Sequence, residues 1–153
     1  MRSFLKYWLP LLFWMIFIFV GSTDLMSAEH TSQFLVPFLR WLAPDLSGEA
    51  VATIQLLIRK CAHVAEYAIL AALLLRAFSK SQERLSRATA RAFILAAIYA
   101  AFDEFHQSFV PSRTSSPYDV AIDTAGALAG LMVYRLMIRQ VGQQSTIENR
   151  KSK

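Results

Sequence analysis

The sequence has few charged residues and almost no cysteine. Charged side chains make up 18% of the 153 residues, and Cys61 is the single cysteine. One cysteine cannot form an intramolecular disulfide, so a disulfide framework is excluded. The net charge of +5 comes from basic residues clustered at a few sites. Nucleic-acid binding needs a basic stripe on a polar face. The sequence supplies no such stripe, so no nucleic-acid partner is predicted.

The sequence contains several long apolar runs. Hydrophobic residues make up 55% of the chain, which is too apolar for an ordinary soluble protein and predicts a membrane protein. The runs exceed strand length and are rich in Ala and Leu, so we expect an all-α polytopic fold. The predicted transmembrane helices cover about 4–21, 60–78, 88–105 and 119–138. They form a single domain, 1–142, followed by a polar cytoplasmic tail, 143–153.

Two segments allow alternative interpretations. A basic start and an apolar core also fit a secretory signal peptide. However, the core is rich in Trp and Phe and the cleavage site near Gly21 and Ser22 is poor, which favours an uncleaved first helix. The segment 31–46 is apolar but too short to span, and Pro37 and Pro44 are expected to interrupt it. It is predicted to lie on the outer leaflet, with a substrate lid as the alternative. Its apolar face would contain Phe34, Leu35, Phe38, Leu39, Trp41 and Leu42.

Basic residues near the span ends indicate orientation, because Lys and Arg concentrate in cytoplasmic loops. They lie before the first span, between the second and third, and after the fourth. Four spans put these regions on one side, so both termini are predicted to be cytoplasmic. The residues used are Arg2, Lys6, Arg76, Lys80, Arg84, Arg87, Arg91, Arg135, Arg139, Arg150, Lys151 and Lys153; the other loops contain Arg40 and Arg113 among Asp24, Glu29, Asp45, Glu49, Asp103, Glu104 and Asp119.

Ionisable residues lie at the outer ends of three predicted spans, where charge in a bilayer is costly and indicates function. Spacings of three or four residues define a shared helix face within each cluster. The residues that share a face are Arg59, His63, Glu66 and Tyr67; Asp103, His106 and Gln107; and Asp119 and Asp123. Glu104 is predicted to point about 100° away from Asp103. The predicted topology brings the three clusters to one membrane face, so we expect a shared polar site in the outer half of the bundle. The clusters are Arg59, Lys60, His63, Glu66 and Tyr67; Asp103, Glu104, His106 and Gln107; and Asp119 and Asp123.

Gly126 and Gly130 are spaced for close approach of another backbone. Such an approach would bring the fourth predicted helix against a neighbour and turn Asp123 inward. The same glycines leave open an oligomer formed through this stripe.

Two stretches resemble the VanZ-like family of small bacterial membrane proteins. Residues 59–70, RKCAHVAEYAIL, match a Lys-x-x-His-x-x-x-Tyr pattern with its common Glu. Residues 103–113, DEFHQSFVPSR, match an Asp-Glu-x-x-Gln-x-Phe-x-Pro-Gly-Arg segment, which continues through Asp119, Asp123 and Gly126. Ser112 replaces the usual Gly, and Asp123 occupies a place often held by Asn. Ser tolerates fewer backbone angles than Gly, and Asp123 adds a charge to the site.

The resemblance implies a bacterial cytoplasmic (inner) membrane protein of the cell envelope, associated with low-level resistance to the glycopeptide teicoplanin. It implies no particular reaction. The expected partners are membrane lipids, a cell-wall precursor lipid or a glycopeptide.

Three functions remain open for the predicted site. It binds an envelope component, it catalyses a reaction on an envelope lipid, or it is an ion-pair network in which Lys60 and Arg113 neutralise Glu66, Asp103 and Asp123. Catalysis would use a histidine as base or nucleophile with acidic partners, and binding would use cations and polar groups. The catalytic candidates are His63, Glu66, Asp103, Glu104 and His106; the ligand-binding candidates are Arg59, Lys60, Tyr67, Gln107, Arg113, Asp119 and Asp123.

No cofactor is predicted, and no metal. His63, His106 and nearby carboxylates are suitable ligands. A short-range metal motif such as His-Glu-x-x-His is missing from the sequence, so a metal site is the less favoured alternative.

Overall fold

The predicted all-helical architecture is confirmed. The computed structural model describes residues 2–80 and 84–151, with side chains for 4–25, 27, 30–80 and 84–140. Arg2, Glu29, Arg150, Lys151 and Lys153, used to predict orientation, lie outside the described side chains. The described part of the chain contains no β-strand. Its helices are α1 (Arg2–Gly21), a 3-10 turn (Asp24–Met26), α2 (Ala28–Leu42), α3 (Gly48–Phe78), α4 (Leu85–Gln107) and α5 (Pro117–Lys151).

Four of these helices are long and apolar enough to cross a membrane, which supports the prediction of a membrane protein. The apolar segments are Phe4–Gly21, Gly48–Phe78, Leu85–Gln107 and Pro117–Gln140. Large apolar side chains such as Phe13 and Phe102 point away from the bundle. An outward apolar surface on long helices is what a lipid environment requires.

Two helices are longer than the predicted spans. Ser47 caps α3 by accepting a hydrogen bond from the Ala50 amide (3.2 Å), so α3 begins at Gly48 rather than near Lys60. Its 31 residues extend about 46 Å at 1.5 Å per residue. Arg59 and Lys60 therefore lie inside α3, and His63 lies at its middle. At the other end of the chain, α5 continues to Lys151 and includes most of the predicted tail.

The bundle is held together by small residues. Four alanines on α4 (Ala88, Ala92, Ala96 and Ala100) are fully buried at intervals of four residues. On α5, a Cβ added to Gly126 would lie 2.5 Å from the Val64 carbonyl oxygen of α3. A Cβ added to Gly130 would collide with the backbone of Ala68. The predicted close approach of the glycine helix to a neighbour is thus confirmed, and the neighbour is α3.

The same two glycines face α3 of their own chain. Self-association stays a prediction, and with this packing it would need a surface other than the glycine stripe.

The α2 helix differs from its prediction in two respects. Pro37 lies inside the helix and does not interrupt it, because its ring removes only one N–H from the helical hydrogen bonds. The predicted apolar face is divided in the structure. Leu39 is buried, whereas Phe34, Phe38, Trp41 and Leu42 are exposed. Gln55 of α3 donates a hydrogen bond to Ser32 of α2 (2.8 Å), which ties the two helices together.

Candidate functional site

The structure brings together one residue from each of the three polar clusters. His63 of α3, Asp103 of α4 and Asp123 of α5 each offer a side-chain N or O atom, and these atoms all lie within 4.8 Å of one another. The glycine stripe explains part of this arrangement. Because Gly126 and Gly130 allow α5 to contact α3 directly, Asp123 reaches His63 one turn earlier along α5.

Asp123 is the most buried of the three, with 0% of the residue exposed. Its Oδ1 lies 3.4 Å from His63 Nδ1. Neither carboxylate oxygen accepts a hydrogen bond from the described residues, and His63 Nδ1 also has no hydrogen-bond partner among them. A buried carboxylate without hydrogen bonds is costly, so this pair identifies a place where a further group would be stabilising.

Asp103 is held differently, with both oxygens in contact with donors. Gln107 Nε2 donates to Oδ2 (3.0 Å), and Ser22 Oγ donates to Oδ1. Ser22 follows the end of α1 and is itself buried, and its Oγ also lies 2.9 Å from the Ile18 carbonyl oxygen. The Asp103 carboxylate is therefore fixed in orientation by residues from two helices.

Ser22 is a site residue that the sequence did not indicate, since its only feature there was its position in a poor cleavage site. It lies 81 residues from Asp103 in the chain. Helical spacing relates residues within one helix, so no local pattern could have paired these two.

Other predicted site residues link the elements around the site. Lys60 of α3 forms an ion pair with Asp119 of α5. Glu104 of α4 accepts a hydrogen bond from the Ser116 amide (2.9 Å), which fixes the loop before α5. In the ion-pair alternative, Lys60 was expected to neutralise one of the carboxylates of Glu66, Asp103 and Asp123. That partner is wrong, because Lys60 pairs with Asp119.

Arg113 also has partners other than the predicted ones. Its guanidinium donates to the carbonyl oxygens of Gly21 and Thr23, with Nη2 3.0 Å from the latter. Burial lowers the pKa of Arg113 from its ordinary value, and nearby Arg59 acts in the same direction. The guanidinium joins the α4–α5 loop to the end of α1, so its principal visible contacts are structural.

Two cavities have His63 in their walls. The α3–α5 cavity, about 450 Å³, lies between α3, α5 and the α4–α5 loop and is lined by Lys60, Gln107, Thr114 and Ser116, among others. The apolar cavity, about 230 Å³, lies between α1, α2 and α3, with Phe17, Leu35 and Ile58 in its wall. Arg59 and His63 line both cavities, and Glu66 and Arg113 line the apolar one.

Two predicted site residues, His106 and Tyr67, are not members of the group of three, although Tyr67 lies close to Asp103. His106 packs against Phe19 of α1 (ring centroids 4.6 Å apart, ring planes tilted by 32°) and lines a third cavity with Asp103, Phe102 and Phe105. It does not join the group formed by His63, Asp103 and Asp123. Tyr67 is fully buried in the core, 6.4 Å from Tyr99 between ring centroids. Its hydroxyl has no hydrogen-bond partner among the described residues.

Comparisons with known proteins agree with the motifs. No curated protein and no solved structure matches the chain. A family model described as VanZ/LLP1 matches residues 7–138, which include α2, α3 and α4 and most of α1 and α5. The match covers all three polar clusters and both cavities, and the chain belongs to the VanZ/LLP1 family.

Proposed function

We propose that this membrane protein binds the anionic headgroup of an envelope lipid, such as a phosphate-bearing cell-wall precursor lipid. The observation that carries the proposal is the position of Arg59. Its side chain lines both the α3–α5 cavity, which we call the headgroup cavity, and the apolar cavity. Within the described residues it has no hydrogen bond or ion pair, unlike Lys60 and Arg113.

A guanidinium in this position matches phosphate chemistry. Arg presents a planar set of donors that binds phosphate or carboxylate oxygens in bidentate fashion. The hydroxyls of Thr114 and Ser116 line the same cavity and can donate further hydrogen bonds. The adjoining apolar cavity would take the first part of a lipid chain, so the two cavities match the two halves of a lipid.

The proposal includes location and orientation. We place the site in the outer half of a bacterial cytoplasmic membrane, with both termini in the cytoplasm, as the positive-inside pattern predicts. There the protein would meet lipid-linked precursors of the wall. Binding such a precursor, or a glycopeptide attached to it, would account for low-level glycopeptide resistance.

Lipid binding by the purified protein tests the proposal. Full-length protein in detergent would be titrated with a polyprenyl phosphate, with phosphatidylglycerol and with phosphatidylcholine. We expect the anionic lipids to bind more tightly, and Arg59→Gln to weaken their binding about ten-fold or more, since a hydrogen bond to a charged group contributes about 1.5–3 kcal/mol.

Arg87→Gln is the matched control, because it removes the same charge at a distance from the site. Arg87 is exposed near the start of α4, whereas the site lies at the end of that helix. Equal binding of all three lipids would contradict the proposal, as would equal losses in the two variants. A folded Arg59→Gln protein with wild-type affinity would indicate that the polar groups serve only to hold the helices.

Catalysis on the bound lipid is a second candidate, favoured by the pair of His63 and Asp123. His63 lines the headgroup cavity, and a buried carboxylate 3.4 Å from its Nδ1 would fix its orientation. In hydrolysis of a lipid diphosphate, His63 would take the proton of a water whose oxygen attacks the terminal phosphorus. The P–O bond to the bridging oxygen would break, which releases inorganic phosphate and leaves the lipid monophosphate. Incubation with a polyprenyl diphosphate and mass spectrometry would detect the shortened headgroup. Tight binding without product would leave binding as the function.

A further inference from the structure

We propose that His63, Asp103 and Asp123 bind a divalent transition-metal ion. The three side chains come from three different helices, and their candidate ligand atoms all lie within 4.8 Å of one another. Imidazole nitrogen and carboxylate oxygen are ligands that Zn²⁺ and Mn²⁺ accept together. This inference does not depend on the lipid-binding proposal.

The separation of two ligand atoms fits coordination better than hydrogen bonding. His63 Nδ1 and Asp123 Oδ1 lie 3.4 Å apart, which is long for a charge-assisted hydrogen bond. Two ligands about 2.1 Å from one ion and at a tetrahedral angle lie about 3.4 Å apart. Ligands on opposite sides of an ion lie about 4.2 Å apart, so small side-chain rotations would bring all three atoms to coordination distance.

The second observation is that the buried carboxylate of Asp123 lacks hydrogen bonds from the described residues. The residue is fully buried, yet neither oxygen accepts a hydrogen bond from the described part of the chain. Asp103 brings a second buried carboxylate to the same place. Two carboxylates need more positive charge than one imidazolium supplies. A divalent cation between them would satisfy the free oxygens and balance the charge.

The surroundings of Asp103 resemble those of a metal ligand. Its two oxygens contact Ser22 Oγ and Gln107 Nε2, and each oxygen keeps a second lone pair. Hydrogen bonds of this kind orient a carboxylate ligand and strengthen metal binding. Since Ser22 directly follows α1, an ion here would join α3, α4 and α5 directly and the end of α1 through Ser22.

Ligand number indicates an accessible ion rather than a closed structural one. Three protein ligands leave at least one coordination position free, as in catalytic zinc sites. His63 lines both the headgroup cavity and the apolar cavity, so the ion would lie at the wall that the two cavities share. An imidazole ligand disfavours Mg²⁺, which prefers oxygen ligands and keeps its waters.

Metal uptake by the full-length protein, without added lipid, tests the inference. Protein purified in detergent would be treated with a chelator and dialysed against Zn²⁺ or Mn²⁺, and the bound ion would be measured by mass spectrometry. We expect about one ion per chain and a higher unfolding temperature with the ion, because binding to the folded state stabilises it. His63→Gln and Asp123→Asn should each weaken uptake more than ten-fold.

His106→Gln is the matched control, since it alters a histidine of α4 that lies outside the group, and its uptake should equal that of the wild type. Ser22→Ala is a milder variant for the case in which a ligand variant does not fold, and it should weaken uptake about ten-fold. Wild-type protein that takes up no ion would overturn the inference. Undiminished uptake by folded Asp123→Asn or by Ser22→Ala would overturn it too. Because no lipid is present, failure here leaves the lipid-binding proposal standing, and loss of lipid binding leaves this result unchanged.

Discussion

The guanidinium of Arg113 donates a hydrogen bond to the carbonyl oxygen of Gly21, which lies 92 residues away in the chain. Gly21 ends α1, and a carbonyl at a helix end has no partner within the helix. Arg113 therefore supplies a cap from a distant loop. The same side chain reaches the Thr23 carbonyl, so one arginine fixes the whole turn that carries Ser22.

Arg113→Ala should lower the free energy of unfolding by about 1–3 kcal/mol, because it leaves partly buried carbonyl groups without donors. Thermal unfolding in detergent would measure the change. Arg113→Lys should recover only part of the loss, because an ammonium lacks the fork that reaches two carbonyls. A stable Arg113→Ala protein that has lost lipid binding would instead favour the role predicted from sequence, a direct contact with the headgroup.

The glycines of α5 provide a test of the packing between α3 and α5. Gly130→Ala should destabilise the protein by about 1–3 kcal/mol, because the new methyl group would collide with the backbone of Ala68, which cannot move aside as a side chain can. Gly48→Ala is the control, since a Cβ there would meet nothing within 4 Å. Both variants would be compared by thermal unfolding. Equal stabilities would contradict the close approach of the two helices.

Lys60 and Asp119 form an ion pair, and substitutions of the two residues should change lipid binding in opposite directions. Asp119→Asn should tighten binding of an anionic lipid several-fold, because it removes negative charge from the headgroup cavity and frees the Lys60 ammonium. Lys60→Met should weaken binding. Lipid titration at low and high salt would measure both, and the difference should shrink as salt screens the charges. If both variants weaken binding equally, the pair acts only by holding the helices.

The two histidines near the site should differ in their sensitivity to substitution. His106→Phe should keep lipid binding and at least wild-type stability, since its buried Nδ1 has no hydrogen-bond partner in the described structure and its ring stacks on Phe19. His63→Gln should lose lipid binding, because His63 lines both cavities. Lipid titration and thermal unfolding of the two variants would decide. Loss of binding in His106→Phe would return His106 to the site.

Local patterns in the sequence accounted for much of the architecture. Apolar length identified the four membrane-compatible helices, and the spacing of Gly126 and Gly130 predicted a close helix contact. The predicted start of the span within α3, about residue 60, lies too late in the chain, because Arg59 and Lys60 resemble the polar border of a span. The helix instead starts at its cap, Ser47.

Helical spacing was less reliable for the side chains of α4. Asp103, His106 and Gln107 were predicted to share one face, but three residues fall about 60° short of a full turn and four go about 40° beyond it. His106 and Gln107 thus diverge by about 100°, so Gln107 bonds to Asp103 whereas His106 packs against Phe19. Which of the two neighbours faces the site depends on packing with α1, and contacts so distant in the chain leave no local pattern.

The contact between α3 and the glycines of α5 also sets the rotation of α5 about its own axis. Asp123 precedes Gly126 by three residues, so the length of chain between them determines the direction of the carboxylate. One residue inserted there would turn Asp123 by about 100° away from His63 while leaving the glycine contact intact. The site therefore depends on residue count as well as on residue type, and single insertions within 124–125 should abolish it more completely than most substitutions.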